Sequence, residues 1–179
     1  VEKGAFTFKQ FAMPLVGVDG VVKIDPKKGV QIEKMHGELG GGTIDATGGV
    51  AIEGTSVGDA DLKLAMRSVH FRYGEGMSMT CDSDLHVLWS PPEPGEKPKP
   101  GRVEGVVDVE TFLYEKQIKI FDVSAIQAAK RTEVEAYDPA NDFLRFSLRV
   151  VSPRPLVVRN DLADVRLEIV EPGIELSGT

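Results

Sequence analysis

The sequence has 179 residues, of which 41% are hydrophobic and 27% charged, so it fits one domain or one piece of a repetitive array and is neither disordered nor membrane-spanning by composition. A formal net charge of −7 argues against a nucleic-acid partner, because phosphate binding depends on clustered Lys and Arg and this chain offers only isolated basic pairs. The single cysteine, Cys81, excludes an internal disulfide, and its place in an alternating run indicates a small apolar residue rather than a reactive thiol.

Apolar residues recur with a period of two along most of the chain, which predicts β-strands with one wet face and one apolar face. In chain order the alternating segments are residues 18–25, 30–33, 43–47, 50–53, 61–67, 77–80, 84–87, 118–120, 144–150, 165–169 and 174–176. Residues 69–73 continue the alternation one position out of phase with 61–67, which predicts a β-bulge near Arg67 and Ser68.

Turn signals separate these segments at short intervals. They are residues 25–29, the glycines at 40–42, the pair Gly48-Gly49, the glycines at 74 and 76, and Pro172-Gly173. Because proline fixes φ and glycine accepts positive φ, these sites predict tight turns in a meandering antiparallel sheet. The proline-rich residues 91–101 predict an exposed loop insertion, since proline cannot donate to a ladder. The only helix candidate is the short stretch 123–131.

The apolar faces need a partner, and no predicted helix could cover a sheet of this length. A sandwich or closed barrel would bury the face against itself, whereas a sheet curled into a trough would leave it for a ligand with hydrocarbon chains. Aromatic residues make up only 7% of the chain, and the apolar positions are mostly Val, Ile, Leu and Met. Such an aliphatic lining gains about 0.8 kcal/mol per buried CH₂ of an acyl chain. Composition favours the trough, and physical argument alone leaves the sandwich open.

Two stretches carry a family resemblance. In residues 29–50 an apolar-rich strand leads to Gly40-Gly41-Gly42 and then to another strand, and residues 105–179 contain an ordered series of strands in which 158–164 is the most specific piece. Both stretches resemble the AsmA and TamB proteins, the second resembling the TamB C-terminal domain. The insertion at 91–101 departs from the family pattern, as does Phe112-Leu113, where the family commonly has glycine before the Tyr114 position.

The resemblance implies an all-β fold in which an antiparallel meander curls into an elongated U-shaped trough, called a β-taco, with an aliphatic interior and little or no helix. Residues 1–179 would form a single β-rich piece of a longer chain. That longer protein would be anchored in the inner membrane of a Gram-negative bacterium and cross the periplasm. Because the sequence contains no signal peptide and no apolar run near the ~20 residues that span a bilayer, we expect the anchor and targeting signal outside it.

The function that the resemblance implies is conduction of phospholipid between the inner and outer membranes, together with assistance in assembling outer-membrane proteins and autotransporters. The implied partners are phospholipid acyl chains, an outer-membrane barrel of the BamA or TamA type, and client β-strands. One face of the strands would line the lipid groove, although each such position is equally consistent with an ordinary core residue. The candidate lining residues are Ile24, Ile32, Ile44, Ile52, Leu62, Leu64, Met66, Met79, Val87, Val109, Ile120, Phe146, Leu148, Leu167 and Ile169.

We expect neither an enzyme nor a metal or cofactor site. His36, His70 and His86 lie in different predicted strands with no carboxylate or cysteine at metal-ligand spacing, and no nucleophile elbow occurs. The alternative to the lipid trough is a structural or adhesive β-solenoid or β-sandwich module of a secreted protein, in which side chains occupy the apolar face. A chaperone role, with a client strand added to an exposed sheet edge, is a further hypothesis.

Overall fold

The computed structural model describes residues 4–7, 13–26, 29–53, 56–74, 76–92, 96, 99–115, 144–160 and 162–178. Every regular element in these residues is a β-strand, which confirms the all-β prediction. The strands are β1 (Gly4–Thr7), β2 (Pro14–Asp25), β3 (Gly29–Leu39), β4 (Gly42–Glu53), β5 (Ser56–Tyr73), β6 (Met77–Trp89), β7 (Gly101–Glu115), β8 (Leu144–Val151), β9 (Leu156–Arg159), β10 (Asp164–Leu167) and β11 (Ile174–Gly178). Within these ranges no helix is long and apolar enough to cross a bilayer. The predicted strand at 118–120 and the helix candidate at 123–131 lie outside the described residues.

All the strands belong to one sheet. Its order is β1-β2-β3-β4-β5-β6-β7-β8-β11, with β9 also paired to β7 and β10 paired to β9. From β1 to β7 each strand is antiparallel to the next. The sheet is not closed into a barrel, because among the described strands β1 pairs only with β2 and β11 only with β8. The fold is an open, antiparallel-dominated meander, consistent with a curled trough.

The far side of β7 departs from the predicted antiparallel meander. Here β8 and β9 both run parallel to β7: Gly101 pairs with Leu144 at the start of β8, and Tyr114 pairs with Val158 in β9. Residues 116–143, which connect β7 to β8, are long enough for the crossover that parallel pairing requires. β11 pairs antiparallel with β8, and β10 pairs antiparallel with β9, so that β10 and β11 form the outer edge of the sheet on this side.

Prolines explain why β8 and β9 are two strands rather than one. Pro153 and Pro155 lie in the gap between them, and neither can donate a backbone hydrogen bond to the ladder. Ser152 bridges the gap instead, because its hydroxyl donates to the carbonyl oxygen of Val109 in β7 at 2.7 Å. The side chain thus replaces one bond of the interrupted ladder.

The glycine-rich sites behave in two different ways. Gly40 and Gly41 form the β3–β4 turn with φ of 56° and 80°, as predicted. Gly48-Gly49 is not a turn: the prediction was wrong, and the pair lies inside β4. At Gly48, φ is 133°, and a Cβ there would lie 2.1 Å from the carbonyl oxygen of Asp61 in the neighbouring strand. This glycine is therefore needed for the close approach of two backbones rather than for a chain reversal.

The proline-rich insertion joins β6, which ends at Trp89, to β7, which begins at Gly101. Of the predicted loop residues 91–101, Gly101 is instead the buried first residue of β7. The other described residues lie outside the strands, and Pro92 and Lys99 are exposed.

Few side chains of this sheet are fully buried. Among the described residues the buried apolar side chains are Val18, Val69, Cys81, Val103 and Val109. Most other apolar strand residues are half-buried. A sheet that packed its whole apolar face against a second layer would bury more of them, since core residues of a sandwich come from both inner faces. The described part of the chain is therefore a single layer with a limited core.

Candidate functional site

The pairing register sorts the strand side chains onto two faces, because residues directly opposite each other in neighbouring strands point to the same side of a sheet. One row of partners from β3 to β8 is Ile32, Gly48, Leu62, Val87, Val103 and Phe146. The next row, from β4 to β11, is Ala46, Leu64, Leu85, Gly105, Leu148 and Leu176. We call the face that carries these two rows the apolar face and the opposite face the polar face. Neither row contains a polar side chain, so the apolar surface is continuous across the sheet.

The register places nearly all of the candidate lining residues on this apolar face. Those on it are Ile24, Ile32, Ile44, Ile52, Leu62, Leu64, Met66, Met79, Val87, Val109, Phe146, Leu148 and Leu167. Of the other two, Ile169 is half-buried between β10 and β11 and belongs to no strand, and Ile120 lies outside the described residues. Sequence alternation thus selected one surface of the molecule, although it could not show what that surface contacts.

Bulges keep the apolar face continuous where the sequence pattern changes phase. Along a regular strand the apolar positions are two residues apart, but in β5 they step from Met66 to Val69, and in β3 from Ile32 to Met35. The register shifts at both places, because one strand carries an extra residue there. In β7 the shift lies after Val109. The bulge predicted near Arg67 and Ser68 is confirmed.

Ser68 shows how the β5 bulge is held. Its φ is 50°, in the left-handed region that non-glycine residues seldom adopt. Its backbone N–H donates to Oδ1 of Asp82 in β6 at 2.7 Å, so the group that leaves the ladder at the bulge still has an acceptor. The side chain of Asp82 therefore fixes the position at which β5 changes phase.

Burial varies along the length of the strands. Val69 and Cys81 are 0% and 2% exposed, and both lie beside the β5 bulge. Toward the strand ends the same face opens, with Ile24 and Tyr73 each 76% exposed. The apolar face is thus deepest in the middle of the sheet and accessible at both ends.

Several members of the apolar face were absent from the candidate residues, among them Met35, Val69, Leu85 and Val103. Val69 belongs to the out-of-phase stretch that signalled the bulge. The others are alternating apolar positions next to the candidates. Leu85 is two residues from Val87 in one alternating segment, so the sequence pattern could have identified it, whereas the phase of one strand cannot be carried across a bulge to the next strand without the register.

Two small side chains with polarisable or polar atoms, Cys81 and Ser83, lie within the apolar face at its most buried point. Ser83 is 2% exposed, and its hydroxyl has no hydrogen-bond partner. Cys81 is adjacent on the same strand face, and burial, assisted by the carboxylates of Asp82 and Glu110, raises the pKa of its thiol to about 11. The thiol is therefore protonated at neutral pH and behaves as an apolar group.

The polar face carries cross-strand ion pairs and hydrogen bonds. His36 Nδ1 lies 2.9 Å from Asp45 Oδ1, and His86 Nε2 lies 2.7 Å from Asp61 Oδ1. Arg67 donates to Asp84 Oδ1 at 2.7 Å. These groups are substantially exposed, so each pair contributes no more than about 1 kcal/mol. The charged and polar side chains of this face therefore remain in contact with water.

The histidines and carboxylates of the polar face do not converge on one centre. A depression of about 450 Å³ crosses the middle of this face and includes Lys63, Asp84, His86 and Glu104, a mixture of both charges. Within the described ranges no group of three or more His, Cys, Asp or Glu side chains is arranged to hold a metal ion. The continuous apolar surface is accordingly the stronger candidate for a functional site.

Comparison with known proteins gives no match: no family model, no curated protein and no solved structure matches this chain.

Proposed function

We propose that this chain is a segment of a lipid conduit, in which phospholipid acyl chains lie against the apolar face while the polar face stays in water. The observation that carries the proposal is the continuity of the apolar face across an open, single-layer sheet. Two complete rows of apolar partners cross it without a polar side chain. A protein that only needed a core would be expected to bury such a surface, since large exposed apolar patches mark interaction sites.

The chemistry of the surface suits an acyl chain better than a specific small molecule. It consists mainly of aliphatic side chains and offers no array of directed donors and acceptors, so it can bind hydrocarbon at any position along its length. Each CH₂ that leaves water contributes about 0.8 kcal/mol. Ten such groups would contribute about 8 kcal/mol before the cost of ordering the chain. Binding without a fixed register is what a conduit requires.

The wider biological role rests on the sequence resemblance. We propose that the chain is the periplasmic part of a TamB-like protein anchored in the inner membrane, which conducts phospholipid between the two membranes and assists assembly of outer-membrane proteins and autotransporters. Its partner would be an outer-membrane barrel of the BamA or TamA type. Support comes from residues 29–50 and 105–179, which resemble that family, and from the open β-sheet.

The decisive experiment compares adjacent residues on opposite faces of β8. Leu148 lies on the apolar face between Gly105 and Leu176, and Arg149 lies on the polar face beside Val106. A photo-crosslinking amino acid is placed at either position in the full-length protein in cells. We expect ultraviolet-dependent phospholipid adducts at Leu148 and none at Arg149. Absence of adducts at both sites in a folded protein would refute the conduit and favour a structural or adhesive module.

A second candidate role uses the edge of the sheet. β11 pairs with β8 alone among the described strands, so its outer edge can accept a strand from a client protein. Replacing Glu175 by proline would remove a backbone donor from this strand. If client assembly depends on the edge, the variant should lose it while lipid adducts at Leu148 persist.

A further inference from the structure

A hollow of about 610 Å³ lies where β6 ends and β7 and β8 begin. We call it the basic hollow, and it is lined by Leu88, Trp89, Ser90, Lys99, Pro100, Arg102 and Arg145. Three of these side chains are cationic, in a chain whose net charge is −7. The concentration of positive charge at one place is therefore opposite to the overall charge of the protein.

The two arginines of the hollow are direct neighbours. Arg102 of β7 and Arg145 of β8 are registered partners in the parallel ladder. They lie on the polar face, close to the strand ends, and both are exposed. Like charges placed opposite each other destabilise a sheet unless anions lie close to them. Arg102 has a partner in Glu104 at 3.4 Å, and Lys99 has one in Glu96 at 2.8 Å. Arg145 forms no ion pair within the described residues.

Trp89 connects the basic hollow to the apolar face. It is on the apolar side of β6, opposite Ala60, and it also lines the hollow. A Cβ placed on Gly101 would lie 3.2 Å from Cδ1 of Trp89 and 3.3 Å from Cδ2 of Leu144, so the indole and Leu144 pack together over this glycine at the end of the face. Tryptophan suits such a boundary, since one end of its ring system is apolar and the other carries an N–H donor.

We infer that the basic hollow binds the phosphate of a phospholipid headgroup whose acyl chains lie on the apolar face, an inference that rests on the proposed lipid function. Arginine is the residue best matched to phosphate oxygens, because its planar fork can donate two parallel hydrogen bonds. A phosphate between Arg102 and Arg145 relieves their mutual repulsion on the polar face. The lipid then passes around the strand ends beside Trp89, and the apolar face on the other side of the sheet takes the hydrocarbon. The hollow then acts as a loading or holding point at one end of the trough.

Trp89 is the only tryptophan in the chain, so its fluorescence reports on the hollow directly. Three probes are titrated into the 179-residue chain: dihexanoyl phosphatidylglycerol below its micelle concentration, dihexanoylglycerol, which lacks the phosphate, and inorganic phosphate. We expect phosphatidylglycerol to bind most tightly. Arg145→Gln should weaken its binding about five- to tenfold, whereas dihexanoylglycerol binding should not change. Salt should weaken only the phosphate-dependent part.

The matched control is Arg149→Gln, which removes the same charge from the same strand and face outside the hollow. It should change phosphatidylglycerol binding by less than about twofold. Urea midpoints of both variants establish folding, and that of Arg145→Gln should not fall, because the substitution removes a like-charge contact.

Each contrary result has a distinct meaning. Equal losses in Arg145→Gln and Arg149→Gln, or equal binding of the two lipids, overturn the headgroup site and leave the apolar conduit standing. A response to inorganic phosphate as strong as that to phosphatidylglycerol replaces the headgroup site by a site for free anions. No response to either lipid refutes both the headgroup site and the conduit.

Discussion

The bulge at Ser68 allows the origin of the continuous apolar face to be tested by inserting one residue. An alanine inserted after Ser68, while β5 keeps a one-residue bulge and its pairing with β6, would turn Val69 and Phe71 toward water and His70 and Arg72 toward the apolar face. A shift of one residue exchanges the two faces of every position that follows it. The matched control is Ser68→Gly, which keeps the length of the strand and accepts the observed φ of 50°.

The expected magnitudes of the two changes differ enough to be distinguished. Val69 is fully buried and Phe71 is half-buried, so exposing both loses about 3 kcal/mol of transfer free energy. Desolvating His70 adds about 1 kcal/mol, for a total near 4 kcal/mol. Ser68→Gly relieves a left-handed conformation worth about 1 kcal/mol, against a similar gain in the entropy of the unfolded chain. Its net effect should stay within about 1 kcal/mol.

Urea unfolding of the purified chain, followed by far-ultraviolet circular dichroism, measures both free energies. The insertion should lower the midpoint strongly and Ser68→Gly should leave it nearly unchanged, with similar slopes if both variants unfold in two states. Equal midpoints for the insertion and the glycine variant would show that the number of residues at the bulge does not decide which side chains reach the apolar face. The argument that bulges maintain the face would then fail.

Three further predictions concern single side chains. With its pKa raised from 9.0 to about 11, Cys81 should react with iodoacetamide at pH 8 at least about a hundredfold more slowly in the folded chain than in the unfolded chain. Because the folded pKa lies above the unfolded one, the free energy of unfolding should fall by about 2 kcal/mol between pH 9 and 11. Cys81→Ala should remove that part of the pH dependence. Asp108→Asn should raise the free energy of unfolding by about 0.5–1 kcal/mol, less in 1 M NaCl, because Asp108 lies opposite Asp82 and its Oδ1 is buried without a hydrogen bond. Leu64→Arg should lower the free energy of unfolding, measured in urea, by about 2–3 kcal/mol and should abolish lipid adducts at Leu148. Lys63→Gln on the polar face should do neither. Complete unfolding by Leu64→Arg would indicate a closed core.

Much of the fold was readable from the sequence because a one-sided sheet imposes a period of two. The offset between Leu64 and Val69 even revealed a bulge, since an apolar phase change within one strand needs an extra residue. Glycines were harder to interpret. Gly40-Gly41 and Gly48-Gly49 look alike in sequence, but the first pair reverses the chain and the second lies within β4 where two backbones approach closely.

Long-range pairing was the part that local pattern could not supply. The parallel association of β8 with β7 depends on where the chain returns after residues 116–143, and nothing in the alternation of residues 144–150 distinguishes a parallel neighbour from an antiparallel one. The basic hollow depends on the same pairing. Arg102 and Arg145 are far apart in sequence, and only the register between β7 and β8 makes them neighbours.

Because the core is limited, a ligand on the apolar face should also stabilise the folded chain. A sheet with few fully buried side chains gains less from hydrocarbon burial than a sandwich of equal length, so more of its stability must come from the ladders and from half-buried contacts. A ligand that covers the face therefore buries apolar surface that is exposed in the ligand-free folded chain. The unfolded chain has no such face and gains nothing from the ligand. By mass action, a lipid present at a hundred times its dissociation constant would stabilise the chain by about 2.7 kcal/mol. An open apolar face thus couples lipid occupancy to stability, and the gain should be greatest where Ile24 and Tyr73 leave hydrocarbon most exposed.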